Sequence, residues 1–208
     1  MVVAYLIGGF LFLVSFAILL LMITSRVQGK KREGLLASWS SSVGMTYQRK
    51  DHDQSFANSL EGFAIRGEAS LQGAMNIIRG EGQGFKTTLF DYFRYASQKE
   101  TKTRNTFSAV LFEDPGWHWS TTQILPLPLP DSTTVYTQLD ELYTVSDASI
   151  LRNNEALEKH LIQHPEWHIE LMGNRMLLYR NLNPSKPDAY QQLLRDALQL
   201  KMLIEAGQ

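Results

Sequence analysis

The sequence predicts an α+β fold behind a single N-terminal transmembrane helix. Three observations carry that prediction. Val2 to Ile23 is an uncharged apolar run, interrupted in polarity only by Tyr5 and Ser15. Beyond it, short runs of β-branched and aromatic residues follow one another between glycine-rich turns. The chain then closes on a long amphipathic stretch ending near Glu205. Runs of strands with short turns favour an antiparallel meander over βαβ units.

At about 1.5 Å per residue, roughly 20 apolar residues cross a hydrocarbon core of about 30 Å. Residues 1–24 are therefore read as the membrane anchor. The run exceeds the apolar region of a cleavable leader, no basic segment precedes it, and no A-x-A site follows. Residues 25–34 form a basic juxtamembrane linker carrying the membrane-interface residues Arg26, Lys30, Lys31 and Arg32. Such charges resist translocation, which places the N-terminus outside and residues 35–208 in the cytoplasm, at the inner (plasma) membrane. Ala4, Gly8 and Ser15 share a helix face and offer a weak homodimer contact.

Four of the 20 Lys and Arg precede residue 33 and none of the 21 Asp and Glu does, so the remainder carries a net charge of −5. An acidic domain under a basic collar argues against nucleic-acid binding, which needs a basic face. The chain contains no cysteine. Disulfides, thiol nucleophiles and thiolate metal sites are thereby excluded.

Element by element, Leu35, Leu36, Trp39 and Val43 give a helix spacing that Gly44 ends, and Met45–Lys50 then reads as a strand. Phe56–Leu60 suits one or two helical turns and Gly62–Gly67 a strand. Ala74–Ile78 and Lys86–Tyr95 pair across a glycine-rich turn, and Arg104–Glu113 ends at Asp114-Pro115-Gly116. The alternate prolines of Ile124–Asp131 lack N–H donors, which predicts an edge or surface crossing. Ser149–Gln163 returns to helical spacing until Pro165. Gly173-Asn174 is a hairpin turn between two strands. Ser185 or Asp188 caps the final helix.

The segment Gly80–Thr87 approaches a phosphate-binding loop, but Phe85 stands where the second glycine belongs and a strand, not a helix, follows. It reads as a hairpin turn. His160 and His164 are spaced to share a metal, yet Pro165 ends their helix and no Glu stands at the position a zinc protease would need. Asp91 lies inside an aromatic strand, on one face with Leu89 and Phe93, while Tyr92 faces the other way with Phe90 and Arg94. A buried carboxylate there either pairs, with Arg79, Arg94 or Arg104 as candidates, or serves a site. Trp117, His118 and Trp119 form either an exposed aromatic recognition tip or part of the core. Asp91, Tyr92, Trp117, His118 and Trp119 are thus the partner- or ligand-binding candidates.

The anchor, the glycine loop, the FDYxY-type segment at Phe90–Tyr95, a polar turn and a proline-containing stretch resemble an uncharacterised family of bacterial single-pass membrane-anchored proteins. The likeness covers about Gly80 to Tyr179. Thr103–Phe107 departs from the Thr-Gln-Thr run usual after that segment. The resemblance implies an architecture and no catalytic residues.

No nucleophile elbow, dinucleotide fingerprint, EF-hand loop or zincin motif occurs. The sequence therefore predicts a non-enzymatic membrane-anchored protein whose domain binds a protein partner in an accessory, scaffold or assembly role, without cofactor. The alternative is a membrane-tethered small-ligand sensor or hydrolase with a pocket near Asp91.

Overall fold

A computed structural model describes residues 30–68, 71–98, 101–128, 138–152, 154–181 and 187–207. The predicted anchor, with Ala4, Gly8, Ser15 and Arg26, lies outside them. Among the described residues, no helix is long and apolar enough to cross a membrane.

The fold is α+β, built on one antiparallel eight-stranded sheet with a long C-terminal helix. Helix α1 covers residues 30–42, and Gly44, at φ 73°, ends it. Strand β1 is Thr46–Lys50, followed by the short helix α2 at Ser55–Ser59. Strands β2 (Gln72–Gly82), β3 (Phe85–Gln98) and β4 (Thr101–Glu113) form the expected meander. The β2–β3 turn places Gln83 and Gly84 at positive φ, the conformation that glycine adopts most readily. Strands β5 (Trp119–Pro126), β6 (Tyr143–Val145), β7 (His168–Gly173) and β8 (Arg175–Arg180) complete the sheet. Helices α3 (Glu155–Gln163) and α4 (Pro187–Ala206) follow β6 and β8.

The strand order is β1-β2-β3-β4-β8-β7-β5-β6. The β7–β8 hairpin therefore inserts between β4 and β5, joining meander and hairpin into one sheet where the sequence suggested separate pieces. Alternation then sends two cores to the two faces. On one face Leu89, Val110, Phe112, Met176 and Leu178 meet Leu36 of α1 and Tyr190, Leu193, Ala197 and Leu200 of α4. On the other, Ile77, Phe90, Tyr92, Phe107, Ala109, Leu177 and Tyr179 meet Phe56 and Ala57 of α2 and nearby Leu60, Phe63 and Ile65.

Four expectations are corrected. Gly62–Gly67 is not a strand. Its centre, Ala64–Arg66, is a 3₁₀ turn, because the buried carboxylate of Glu170 accepts the N–H groups of Ala64 and Ile65. The helix expected over Ser149–Gln163 is interrupted: Asn154 caps α3 by accepting from the Leu157 N–H, after a 3₁₀ turn at Ala148–Leu151. The edge or surface crossing expected over Ile124–Asp131 is corrected at Ile124, which pairs with Ile169 of β7 and Val145 of β6, whereas Leu125 and Pro126 pair with β6 alone and Leu127 and Pro128 are exposed beyond the strand. Residues 30–34, assigned to the linker, lie within α1.

Candidate functional site

Asp91 sits in the middle of β3, directly opposite Ser108 of β4, and is 1% exposed. On the other side, Met75 pairs with Asp91 but Ile78 with Leu89, so Asn76 and Ile77 bulge opposite Phe90. The bulge holds Asn76 at φ 52°, a region where Asn is tolerated better than most side chains. Its side-chain N–H then donates to Asp91 Oδ2 at 2.8 Å, and Ser108 donates to Oδ1 at 2.9 Å. The Tyr190 hydroxyl, from α4, donates to Oδ2 as well.

The fourth partner comes from α1. Arg32 Nη2 lies 3.1 Å from Asp91 Oδ2 and donates to the Tyr190 hydroxyl at 3.0 Å. Tyr47 of β1 donates to Asn76 Oδ1 at 3.0 Å and extends the network outward. Five elements thus meet on one carboxylate, and β1 joins them through Asn76. Burial pushes the Asp91 carboxyl above the usual carboxylate range, opposed by the hydrogen bonds from Tyr190, Asn76 and Ser108 and by the Arg32 charge. Burial, then the neighbouring Asp91 charge, raises Tyr190. A carboxylate so enclosed has no open side for a substrate. What the arrangement does is hold α1 and α4 to the sheet.

The partner of Asp91 is therefore none of the three arginines its sequence neighbourhood suggested. Arg79 donates to Gln48 Oε1, Arg94 to the carbonyls of Ala64 and Ile65 on the opposite face, and Arg104 lies over the Phe93 ring at 4.9 Å. Arg32, grouped with the membrane-interface cations, instead turns inward, with only Lys30 and Lys31 of the described collar exposed. Only three-dimensional pairing brings it to Asp91 across 59 positions of sequence. Weak signals existed: an Asn inside an apolar strand, and a Tyr on the buried stripe of α4.

The remaining candidates do not join this cluster. Tyr92 points to the other core and donates to Gln72 at 2.8 Å. Trp119 is buried, and Trp117 meets it edge to face at 5.6 Å, so of the three-residue tip only His118 is exposed. The Lys201 ammonium lies 4.5 Å from the Phe85 ring centre and 5.2 Å from that of Trp117, which fastens the loop to α4. The His160 and His164 rings are 4.7 Å apart, but no group of three His, Asp or Glu able to hold a metal occurs among the described residues. Burial lowers His160, and His164 lowers it further.

Two other features stand out. Glu170 and Tyr179 form a second buried polar pair, both raised chiefly by burial. A cleft of about 310 Å³ lies where the end of α1, the β2–β3 turn and α4 meet, lined by Val43, Met45, Phe85, Leu194 and Leu198.

No family model and no curated protein matches the chain. A solved structure does. The chain is similar to the mycobacterial trehalose monomycolate transport factor A, TtfA, with a TM-score of 0.56 and 11% identity, covering 83% of this chain and 93% of that one. At that identity the likeness establishes a shared fold.

Proposed function

We propose that the chain is a single-pass inner-membrane protein, N-terminus outside, whose cytoplasmic α+β domain binds a protein partner in an accessory or assembly role without catalysis. The anchor rests on the apolar run Val2–Ile23 and the basic residues after it. Support for an accessory role comes from the fold, which the chain shares with a protein described as a transport factor.

The observation that carries the reading is the apolar cleft. Leu194, Leu198 and Met202 follow one another at four-residue spacing on α4, so they lie on one helix face. Val43, which lines the cleft, is 49% exposed, and Met202, one turn beyond the lining residue Leu198, is 61% exposed. Aliphatic side chains left open beside a concavity mark a surface another protein covers. The opposite end of α1 carries Arg32 and leads back to the anchor. The cleft therefore faces away from the membrane, where a cytoplasmic partner has access.

Photo-crosslinking side chains placed singly at Leu198 and Met202 of the full-length chain, in native membranes, test this. One discrete adduct of the same mass from both positions, and none from Ser59 on α2, is the expected result. No adduct, or an indiscriminate ladder, would overturn the reading. Reporter fusions after residue 32 that are active only in the periplasm would overturn the orientation.

A further inference from the structure

We propose that the arm formed by β3 and β4 beyond Asp91 docks on the anionic headgroup layer of the membrane that anchors the chain. This rests on the membrane-anchored reading above and adds a lipid contact made by the domain itself.

The arm projects past its neighbours. Pairing of β3 with β2 ends at Arg94–Gln72, and pairing of β4 with β8 ends at Ser108–Arg180, whereas β3 and β4 stay paired to Gln98–Thr101. It also points along the path back to the anchor. The end of α1 lies beside Gly80 and Phe85, where Met45 packs against Gly80, while Arg32 near its start reaches Asp91. Helix α1 thus runs opposite to β3, and its N-terminal end leads toward the arm.

The lengths match. Gln98 lies seven residues beyond Asp91, about 23 Å at roughly 3.3 Å per residue. From Arg32 back to Ile23, two helical residues add about 3 Å. Seven steps of at most about 3.5 Å add about 25 Å more. The hydrocarbon boundary therefore lies no more than about 28 Å beyond Arg32, and the headgroup layer fills the last 5–7 Å or so of that distance. A fully extended linker still lets the arm touch headgroups, and any shorter path presses it further in.

The exposed chemistry fits that layer. Leu71 is 54% exposed, and its carbonyl accepts from the Tyr95 N–H at the base of the arm. Phe93 and Tyr95 meet edge to face at 6.2 Å, half-buried, on the sheet face that α1 covers. The exposed Arg104 lies over Phe93 and forms no salt bridge with a carboxylate among the described residues. Aromatic rings beside cations are the side chains that favour a membrane–water interface, and cations near its surface are drawn to anionic lipid.

Because the chain has no cysteine, single Cys residues report position without background. Spin labels at Ser97, Ser25 and Gln83 of the full-length chain would be examined in nanodiscs containing a lipid with a headgroup-attached nickel chelate. In phosphatidylglycerol-rich discs the labels at 97 and 25 should relax strongly and the label at 83 should not. In phosphatidylcholine discs, or with Arg104→Glu, relaxation at 97 should fall several-fold while that at 25 holds. Relaxation at 25 without relaxation at 97 would overturn the docking arm and leave the anchor standing. Equal relaxation at 97 in both lipids would reduce the contact to mere proximity and overturn it too. No relaxation at 25 would remove the anchor, and the arm's role with it.

Discussion

Replacing Asp91 with Asn tests whether the carboxylate is structural. The change keeps the side chain's shape but removes its charge and turns one acceptor oxygen into a donor. Four groups now donate to Asp91: Arg32, Asn76, Ser108 and Tyr190. Removing one partner of a fully buried pair costs about 3–5 kcal/mol. Arg32 keeps a quarter of its side chain exposed and can turn to water, so the expected loss is nearer 2–3 kcal/mol. For a domain this size, about 3 °C accompanies each kcal/mol, giving a Tm lower by about 6–9 °C. Near-UV circular dichroism of the purified full-length chain reads this directly. Arg32→Met alone should cost about 1–2 kcal/mol, and the double variant should fall short of the sum by about 1 kcal/mol, since the two share one interaction. The pH dependence has a definite sign. Burial raises the folded-state pKa of Asp91, so its contribution is full below the unfolded pKa and is lost as pH rises through the folded one. The gap between wild type and Asp91→Asn should therefore widen from pH 7 toward pH 4. A loss under about 0.5 kcal/mol, or strict additivity with Arg32→Met, would refute the latch.

Two further outcomes follow from neighbouring geometry. His168 stacks on Tyr179 at 4.4 Å, and burial lowers its pKa to about 4, so it resists protonation in the folded state. Its contribution is full above about pH 6.5 and is lost as pH falls toward 4, a shift equivalent to about 3 kcal/mol. His168→Phe should remove that acid-side loss in denaturation midpoints measured across pH 4–7, and an unchanged pH slope would count against it. Asn76→Ala loses the bond to Asp91 and strains a positive φ, so it should cost about 2–3 kcal/mol. Asn76→Gly keeps the backbone comfortable and should cost about 1 kcal/mol less; equal losses would mean the bulge geometry contributes nothing.

The elements that sequence made legible are those set by local pattern. Gly44, the Gly82–Phe85 turn, Asp114-Pro115-Gly116 and Gly173-Asn174 each end or turn an element where expected, because turn chemistry is read within four residues. Alternation also placed Asp91 and Tyr92 on opposite faces as expected. What sequence concealed depends on distant partners. The 3₁₀ turn at Ala64–Arg66 exists because Glu170, over a hundred residues away, takes its N–H groups. The interior place of β5 depends on a hairpin formed later in the chain. Arg32 stands in one basic run with Lys30 and Lys31, and only the packing of α1 on the sheet separates it from those two exposed lysines.

That separation bears on how the protein works. Were all four basic residues of the collar to face lipid, the domain would hang from a flexible tether and sample many orientations. With Arg32 held by Asp91 and Tyr190, Glu33 paired with Arg49 of β1, and Leu36 in the core, α1 belongs to the domain from Arg32 onward. On the anchored reading proposed above, the seven steps from Ile23 to residue 30 reach at most about 25 Å, which is too little for the domain to turn over. In the anchored orientation proposed above, such a chain would present one end to the bilayer and the other, with Val43, Leu198 and Met202, to the proposed partner. Breaking the latch should therefore do more than lower stability. In Arg32→Met, crosslinking from Met202 should weaken at temperatures where the domain is still folded, because α1 would no longer fix the height and facing of that cleft. Crosslinking undiminished in that variant, with its stability lowered as expected, would mean that Arg32 stabilises the domain without orienting it.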